Sequence, residues 1–464
     1  MKRGESIAPL FADAGCIAAA EMATLPDRRK GEFTMSLFEK LTGQERVSRD
    51  LLLLLCIGGF YALAVSLSNT FVNIYLWKQT GDFRDLALYN LAVVTMQPLT
   101  FIFAGRLAKQ IDRILILRLG VSCLAVFFIT VLLVGPSAHQ YLLVLGALLG
   151  VGYGFYWLAF NVLTFEITEP ETRDFFNGFF GVLTSSAGMI GPIAAGYIIS
   201  SLAGLKGYTL VFSLSLGLFI IAVLLSFFLK RRTAAGKYLF LRILKERNEN
   251  RNWRLITNAH FFQGLREGSF VFVISVLVYV TSKSEWALGK YGLVNSFTSF
   301  VAYYAVSRLM KREYRMKAIL LGGLLLYAAI FLIVFHPSYP RLLLYAVTIA
   351  IAYPILLVPY SSLTFDVIGR SWKSAEARVE YIVVRELFLN AGRMVSIFAF
   401  LAALTLFGEE IGIRVLMFVC GAGHLVIYWF VRHIRFTDGR PERDRREPLL
   451  FRPKLAGERG GPSA

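Results

Sequence analysis

Charged residues are scarce in this sequence: Asp, Glu, Lys and Arg make up only 17% of its 464 residues. Soluble proteins carry about 25% charged residues, whereas 56% of this chain is hydrophobic and its mean hydropathy is +0.58. The shortage excludes an ordinary soluble domain and indicates lipid as a second solvent. The net charge of +18 does not indicate nucleic acid as a partner, because the basic residues lie in short segments between apolar runs.

Cysteine and histidine are also rare. The cysteines are Cys16, Cys56, Cys123 and Cys420. Because they form no CxxC pair and no cluster with histidine, we expect neither a disulfide framework nor a metal site. His139, His336 and His424 are isolated, and no role is assigned to them. The sequence also lacks the glycine-rich Gly-x4-Gly-Lys-Ser/Thr loop that binds nucleotide phosphates, so we expect no cofactor, no ATP hydrolysis and no enzyme activity.

Long apolar runs dominate the rest of the chain. A membrane-crossing helix needs about 20 mostly apolar residues, and a helix satisfies its own backbone hydrogen bonds inside lipid. The runs therefore predict an all-α membrane protein with twelve transmembrane helices. They cover residues 51–76, 86–105, 114–134, 140–163, 176–202, 207–229, 256–280, 288–307, 318–335, 341–364, 381–407 and 411–431.

The Lys and Arg residues are unevenly divided between the two ends of these helices. If the N-terminus is cytoplasmic, the cytoplasmic segments hold 34 of them and the outer ends hold 7. Basic residues favour the cytoplasmic side, so we predict a multi-pass protein of the cell (plasma) membrane with both termini cytoplasmic. Residues 7–20 contain Pro9 and Asp13 and are not typical of a signal peptide. The residues before Met35 are expected to be a cytoplasmic tail. The alternative is that Met35 is the true start and that the start codon is assigned too early.

An internal repeat divides the chain into two halves. The sequence LTFEI at 163–167 recurs 200 residues later as LTFDV at 363–367, and Tyr153 matches Tyr353 at the same offset. Such a duplication places a solute site between the halves, near the middle of the membrane. The predicted domains are a cytoplasmic N-terminal tail (1–50), an N-terminal six-helix bundle (51–229), a basic cytoplasmic linker (230–255), a C-terminal six-helix bundle (256–431) and a charged, proline-rich cytoplasmic tail of disordered composition (432–464).

Two local patterns resemble the major facilitator superfamily. The first is GRLA at 105–108, between the second and third predicted helices, which is similar to the family's Gly-x-Leu-Ala-Asp motif. Lys109 replaces the acidic residue, and an Asp-Arg pair follows three residues later. We predict that the charges of this segment form ion pairs at the cytoplasmic rim that hold one closed state. The residues assigned to this motif are Gly105, Arg106, Asp112 and Arg113.

The second pattern is GPIAAG at 191–196, which resembles the family's glycine-proline motif in the fifth helix. Small residues let another helix approach closely, and proline removes a backbone hydrogen bond and can kink the helix. A segment with Glu166, Pro170 and Arg173 precedes this motif, and Glu166 has a counterpart in the second half, Asp366. The residues assigned here are Gly178, Gly191, Pro192, Gly196, Glu166, Arg173 and Asp366.

The resemblance implies the major facilitator fold, with two pseudo-symmetric six-helix bundles and transport by alternating access. In that family the glycine-proline motif is commonest among proton-coupled exporters, which favours efflux. Such exporters usually carry an arginine inside the fourth helix, and residues 145–156 contain none. The family's coupling residues are therefore not transferred to this chain.

Ionisable residues inside membrane helices are costly unless they are paired or hydrated, so they are candidates for function. Three predicted helices carry polar residues at spacings that share one helical face. The candidates on these faces, with one neighbouring arginine, are Asn69, Asn73, His260, Gln263, Arg266, Glu267, Glu386, Asn390 and Arg393. Lipid would not accept three such stripes, so they predict a shared wet interior that binds the solute and a proton.

Glu267 is the leading candidate, because it lies near the middle of its helix. We hypothesise that it binds a proton or a substrate cation, since burial favours the neutral acid while a nearby arginine favours the carboxylate. The alternative is a permanent structural pair with Arg266, Arg385 or Arg393. If Arg266 and Arg393 are instead unpaired, they suit an anionic solute.

Aromatic residues of the fourth helix are a further candidate. Tyr156 and Trp157 would stack on an aromatic or cationic solute if this helix lines the cavity, as the resemblance implies. The alternative is that they only pack between helices.

Together these patterns predict a secondary active transporter that moves a small solute by alternating access, with proton-coupled efflux (antiport) as the leading interpretation. The alternatives are an uptake carrier for a polar or anionic metabolite, a membrane enzyme acting on lipids, and a transporter-like sensor or scaffold. The expected partners are a small-molecule solute, a proton or another ion, and the lipid bilayer. We expect a monomer.

Overall fold

A computed structural model describes residues 48–167, 170–231 and 236–436 of the chain. Most of both predicted tails, and residues 232–235 of the linker, lie outside the described residues. The α-helices are α1 (Arg49–Thr80), α2 (Phe83–Leu107), α3 (Arg113–Val134), α4 (Leu142–Ile167), α5 (Pro170–Ser201), α6 (Lys206–Ser226), α7 (Phe240–Glu249), α8 (Arg251–Ser282), α9 (Glu285–Leu309), α10 (Arg315–Ala328), α11 (Phe331–Val334), α12 (Tyr339–Gly369), α13 (Arg378–Gly421) and α14 (Gly423–Val431).

Nine stretches of the described residues are long and apolar enough to cross a membrane. Two of them, Arg113–Thr164 and Arg378–Val431, are 52 and 54 residues long, enough for two crossings of about 20 residues each. The first is divided by the 3-10 turn Gly135–Tyr141, and the second by Gly408, whose φ of +73° favours glycine. The less apolar helix α9 adds the twelfth crossing. The predicted all-α fold with twelve membrane helices is confirmed.

The helix contacts of the first half recur in the second half. α4 packs against α2 and α3, as α12 packs against α9 and α10. α1 packs against α5 and α6, as α8 packs against α13 and α14. The pair α3 and α6 likewise corresponds to α10 and α14. This correspondence confirms the two pseudo-symmetric bundles that the internal repeat predicts.

Two helix pairs form the main contacts between the halves in the described part of the chain: α5 packs against α9, and α2 packs against α13. Small residues make the first contact close. A Cβ added to Gly196 would lie 2.7 Å from the carbonyl oxygen of Glu285, and one added to Gly292 would lie 2.6 Å from Cβ of Pro192. Helix backbones approach this closely where side chains are small. The glycine-proline segment of α5 therefore lies at the interface between the halves, while Gly191 lies against α1.

The basic linker contains a short amphipathic helix, α7, that is attached to the second half. Ile243 is fully buried, and its carbonyl accepts a hydrogen bond of 3.1 Å from the indole of Trp253. The buried carboxylate of Glu246 accepts a hydrogen bond of 2.5 Å from the hydroxyl of Tyr381. The apolar face of α7 therefore packs on the second half of the protein.

Candidate solute and proton site

Glu267 lies in the middle of α8 and joins three helices of the second half. Its Oε1 accepts hydrogen bonds from Tyr353 on α12 (2.7 Å) and from Gln263 on α8 (2.9 Å). Its Oε2 forms an ion pair with Arg393 on α13 at 2.7 Å. The two side chains are 12% and 24% exposed, so the pair is largely shielded but remains reachable. Of the three candidate arginine partners, Arg393 is the one that pairs with Glu267.

A continuous polar path extends from Glu267 toward the predicted cytoplasmic end of α8. Oε1 of Gln263 lies 3.0 Å from Nδ1 of His260. Nε2 of the same histidine lies 3.3 Å from the hydroxyl of Thr364 on α12. The sequence-predicted stripe on α8 is thus one hydrogen-bonded chain, in which the amide of Gln263 connects the carboxylate of Glu267 to the imidazole of His260.

The stripe on α13 supports the arginine of the central pair. Nη1 of Arg393 donates to the side-chain oxygen of Asn390 (3.3 Å), and the amide nitrogen of Asn390 donates to the carbonyl of Glu386 (2.9 Å). The carboxylate of Glu386 pairs with Arg385 at 2.6 Å. Glu386 also lies within electrostatic range of Arg393, so a second carboxylate is close to the arginine that holds Glu267.

Arg266 contacts a different set of groups from its neighbour Glu267. Its Nη2 donates to the hydroxyl of Tyr345 on α12 (3.2 Å), and its guanidinium carbon lies 4.4 Å above the ring of Phe270. Within the described part of the chain, no carboxylate forms an ion pair with it. The structure therefore separates the two arginines that the sequence places near the midplane: Arg393 is paired, and Arg266 is not.

The polar residues of α1 form a neutral network in the first half. The hydroxyl of Tyr153 donates to the side-chain oxygen of Asn69 (3.4 Å), and Nδ2 of Asn73 donates to the backbone carbonyl of Asn69 (3.4 Å). Nδ2 of Asn90 on α2 donates to Oδ1 of Asn73 at 3.0 Å. Asn69 and Tyr153 also line a cavity of about 10 Å³, which has room for about one water molecule.

The two networks occupy equivalent places in the two halves. Tyr153 and Tyr353 are matched by the sequence repeat, and they contact Asn69 on α1 and Glu267 on α8, respectively. The same tyrosine contact thus meets an amide in one half and a carboxylate in the other. A carboxylate can bind and release a proton, and an amide cannot. The titratable member of this pair is in the second half.

Tyr156 and Trp157 lie among the aromatic rings of the first half. Tyr156 is fully buried and stacks on Tyr61 with ring centroids 3.6 Å apart. Trp157 meets Tyr61 edge-on at 5.5 Å. The role of these two residues in stacking on a solute stays a prediction.

An ion pair joins the halves at the outer end of the bundle. Nζ of Lys78, near the end of α1, lies 2.8 Å from Oε1 of Glu285, the first residue of α9. The hydroxyl of Tyr208 on α6 donates to the same oxygen (3.1 Å). We call Lys78, Glu285 and Tyr208 the outer link.

A second link joins the halves at the predicted cytoplasmic end. Nζ of Lys109 donates to the carbonyl of Glu376 (2.6 Å) and lies 3.4 Å from Oε1 of the buried Glu380 at the start of α13. The backbone N–H of Leu239 in the linker donates to the same Oε1 (3.1 Å). Burial and the nearby Glu380 carboxylate raise the pKa of Tyr238, so its hydroxyl stays protonated and donates to a carbonyl of α2. We call Lys109 and Glu380 the inner link.

Two of the motif acids form equivalent ion pairs within each half. Glu166 at the end of α4 pairs with Arg113 at the start of α3, and Asp366 on α12 pairs with Arg315 at the start of α10. Asp112 accepts a hydrogen bond from the backbone of Ile114 and caps α3. These residues stabilise helix ends within a half.

The remaining motif residues occupy different places. Arg106 is exposed, and a Cβ added to Gly105 would lie 3.0 Å from the side chain of Val383 on α13. The side chains at Arg173 and Gly178 lie outside the described residues. Among the predicted motif charges, Lys109 is the one whose described contacts reach the other half.

Comparison with known proteins identifies the family. Residues 54–375, more than half of the chain, match the sequence profile of the Major Facilitator Superfamily. The chain belongs to the major facilitator superfamily. It is therefore a multi-pass membrane transporter by family and by fold.

This major facilitator protein is similar to two bacterial proteins whose names state no activity. It is 61% identical over 413 residues to the uncharacterized protein YqgE of Bacillus subtilis (strain 168), covering 89% of this chain and 96% of that protein. It is 92% identical over 178 residues to an uncharacterized protein in the sodM 3'region of Geobacillus stearothermophilus, covering 38% of this chain and 83% of that protein.

Solved structures show the same fold at low sequence identity. The human organic anion transporter MFSD10 (TETRAN) is 16% identical with a TM-score of 0.60, and the match covers 83% of this chain and 100% of that one. A mutant of the nucleoside transporter NupG is 12% identical with a TM-score of 0.61, and the match covers 83% and 99%.

Several residues of this major facilitator protein's networks were not among the sequence candidates. Tyr353 carries a signal, because it is matched to Tyr153 by the repeat. His424 also carries one, because a histidine in an apolar run is an ionisable group inside the membrane. Asn90 and Glu380 carry no such pattern, and only the packing of their helices brings them to their partners.

Proposed function

We propose that this chain is a proton-coupled secondary transporter that exports a small solute by alternating access, as a monomer of the plasma membrane with both termini cytoplasmic. The observation that carries the proposal is the Glu267 network. A largely shielded carboxylate in the middle of α8 is held by a tyrosine, an amide and an arginine from three helices. The glycine-proline segment of α5 supports the direction of export.

Protonation of Glu267 is the proposed coupling step. As a carboxylate, Glu267 attracts Arg393 and holds α8 against α13. A proton on this carboxylate removes the attraction, because a neutral acid no longer forms an ion pair. Arg393 then turns toward Asn390 and Glu386, which already lie within its range. Binding of one proton thereby changes the contacts between α8, α12 and α13.

The outer and inner links are the proposed gates. Both join the two halves, so opening either side requires breaking one of them. In the inner link the first half carries the positive charge and the second half the negative charge, because Lys109 stands where the family has an acidic residue and pairs with Glu380.

Breaking one link is expected to open the corresponding end. Replacing Lys78 with Met favours the outward-open state, and replacing Lys109 with Met favours the inward-open state. The shift in the ratio of states is about two- to five-fold for the partly exposed outer pair. It is tenfold or more for the inner link, because loss of Lys109 leaves the buried Glu380 without its cation, which costs about 3 kcal/mol or more.

Spin-label distances measure both shifts. Labels at the exposed positions Gln140 and His336 report on the outer end, and labels at Gln110 and Arg312 report on the inner end. Each variant is the control for the other, because the two changes are expected to move the distances at opposite ends. Equal distances in both variants and in the wild type would contradict the assignment of the gates.

Flux in proteoliposomes tests the proposed transport. Vesicles with an imposed pH gradient are given an amphipathic cation (ethidium), a neutral nucleoside (uridine) and an organic anion (succinate). We expect one class to move faster than in protein-free vesicles, and a protonophore to remove that excess. Flux that is unchanged by the protonophore contradicts proton coupling. Binding of a solute without flux points to a sensor or scaffold.

Uptake of an anionic metabolite is a second candidate function, and one observation favours it. Arg266 is a buried cation without a carboxylate partner among the described residues. Reversing the pH gradient in the same vesicles distinguishes uptake from export by the sign of the flux.

A further inference from the structure

Arg266 is a buried cation whose hydrogen-bonding capacity is only partly used by the protein. The residue is only 7% exposed. One terminal nitrogen donates to Tyr345, while Nε has no hydrogen-bond partner. The aromatic ring of Phe270 lies under the guanidinium at 4.4 Å. The rings of Tyr291 and Tyr353 lie within its electrostatic range. These neighbours solvate the cation only in part, because none of them carries a full negative charge.

The charges around Arg266 do not balance. Glu267 is neutralised by Arg393, and Glu386 is neutralised by Arg385. Each of these carboxylates therefore has its own cation, and one positive charge is left over at Arg266. An unpaired buried charge destabilises a folded protein strongly. A ligand that supplies the opposite charge would remove this cost.

His424 on α14 gives independent evidence for a ligand at the same place. It is 0% exposed, and neither Nδ1 nor Nε2 has a hydrogen-bond partner. Its ring lies 5.6 Å from the ring of Tyr353 and within electrostatic range of both Arg266 and Glu267. The preceding residue, Gly423, lies against α8 so closely that an added Cβ would be 3.2 Å from Cβ of Arg266. Buried polar groups normally have partners, and here two such groups are neighbours.

We propose that Arg266 and His424 bind the anionic group, a carboxylate or a phosphate, of the transported solute. A guanidinium presents parallel N–H donors that fit two oxygens of such a group, and Nε of Arg266 supplies a donor that the protein leaves free. A ring N–H of His424 donates to the same group. Tyr345 holds Arg266 in position through its hydroxyl. That the bound anion belongs to a transported solute rests on the proposed transport function. The anion-binding site itself does not depend on it.

Binding to the purified full-length protein in detergent tests this subsite without requiring transport. Succinate and glycerol phosphate are the anionic probes, and uridine and ethidium are the neutral and cationic comparisons. We expect at least one anion to bind, and the variant Arg266→Met to weaken that binding by about 30-fold or more, the equivalent of ~2 kcal/mol for a lost buried charge partner. Preference for one anion separates carboxylate from phosphate recognition. The matched control is Arg341→Met, at an exposed arginine of the outer end.

Thermal stability gives a readout that a merely structural arginine would not give. Without anion, Arg266→Met is expected to raise the melting temperature, because an apolar side chain replaces an unpaired buried charge. With anion, the wild type is expected to gain stability and this variant is not. If Arg266 had only a structural role, Arg266→Met would lower the melting temperature in the absence of anion. His424→Phe, which keeps a ring and removes its nitrogens, is expected to weaken anion binding by about tenfold, and it serves if Arg266→Met does not fold.

The outcomes separate this inference from the transport proposal. If uridine or ethidium is transported and Arg266→Met leaves that flux unchanged, the anion subsite is overturned and transport stands. If an anion binds through Arg266 but no probe is transported, the subsite stands and transport is contradicted. If no anion stabilises the wild type, or if Arg266→Met keeps the response, the subsite is overturned.

Discussion

Replacing Glu267 with Gln is expected to abolish solute flux driven by a pH gradient, while solute exchange at equal pH continues. Glutamine has nearly the shape of the protonated acid and can hydrogen bond to Tyr353 and Gln263, but it cannot release a proton. Net coupled transport needs both protonation states. Exchange of solute for solute involves no net proton movement and needs only one.

Proteoliposomes measure both activities of this variant. We expect gradient-driven flux to fall by about a hundredfold or more, in the range found when a positioned proton-transfer group is removed, and counterflow to persist. The matched control is Glu410→Gln, at a glutamate that is 78% exposed and pairs with Arg414, and it is expected to transport normally. Full gradient-driven flux in Glu267→Gln would rule out this residue as the proton site.

A double variant separates the functional role of Glu267 from a structural one. Glu267→Gln leaves Arg393 without its carboxylate, so the variant is expected to unfold at a lower temperature. Adding Arg393→Met removes the unpaired charge and is expected to restore the melting temperature. If Glu267 were only a structural link, the double variant would also recover gradient-driven flux. We expect stability to return and coupling to stay lost.

The sequence predicts the fold because each crossing helix satisfies its own backbone within a continuous apolar run. The repeat adds more than the fold. It pairs Tyr153 with Tyr353 and Glu166 with Asp366. In the structure, each tyrosine contacts the first crossing helix of its half, α1 or α8. Each acid forms an ion pair with an arginine at the start of a helix, α3 or α10. The two halves therefore share side-chain contacts as well as the order of their helices.

The partners within the site could not be read from the sequence, because they depend on how helices rotate against each other. Helical spacing places His260, Gln263 and Glu267 on one face of α8, and they form one hydrogen-bonded chain. The same spacing leaves three arginines as candidates for Glu267. Arg393 is selected because α8 and α13 pack closely at this level, whereas Arg266, one residue along α8, is turned toward α12 and α14.

That close packing gives the largest stability effect that we expect. Gly392 immediately precedes Arg393, and a Cβ at this position would collide with the carbonyl oxygen of Phe261 and lie 2.8 Å from the backbone nitrogen of Leu265. Because these are backbone atoms, no side-chain rotation can make room. Replacing Gly392 with Leu is expected to lower the free energy of unfolding by more than about 3 kcal/mol, the upper end for overpacked interiors.

The measurement is thermal unfolding of the purified variant, together with gradient-driven flux. Gly217→Leu on α6 is the matched control, because an added Cβ there meets no atom within 4 Å and a leucine on that surface is expected to be tolerated. If Gly392→Leu instead unfolds like the wild type, α8 and α13 are farther apart than described here. A folded Gly392→Leu protein would therefore contradict the close packing of α8 against α13 that positions Arg393.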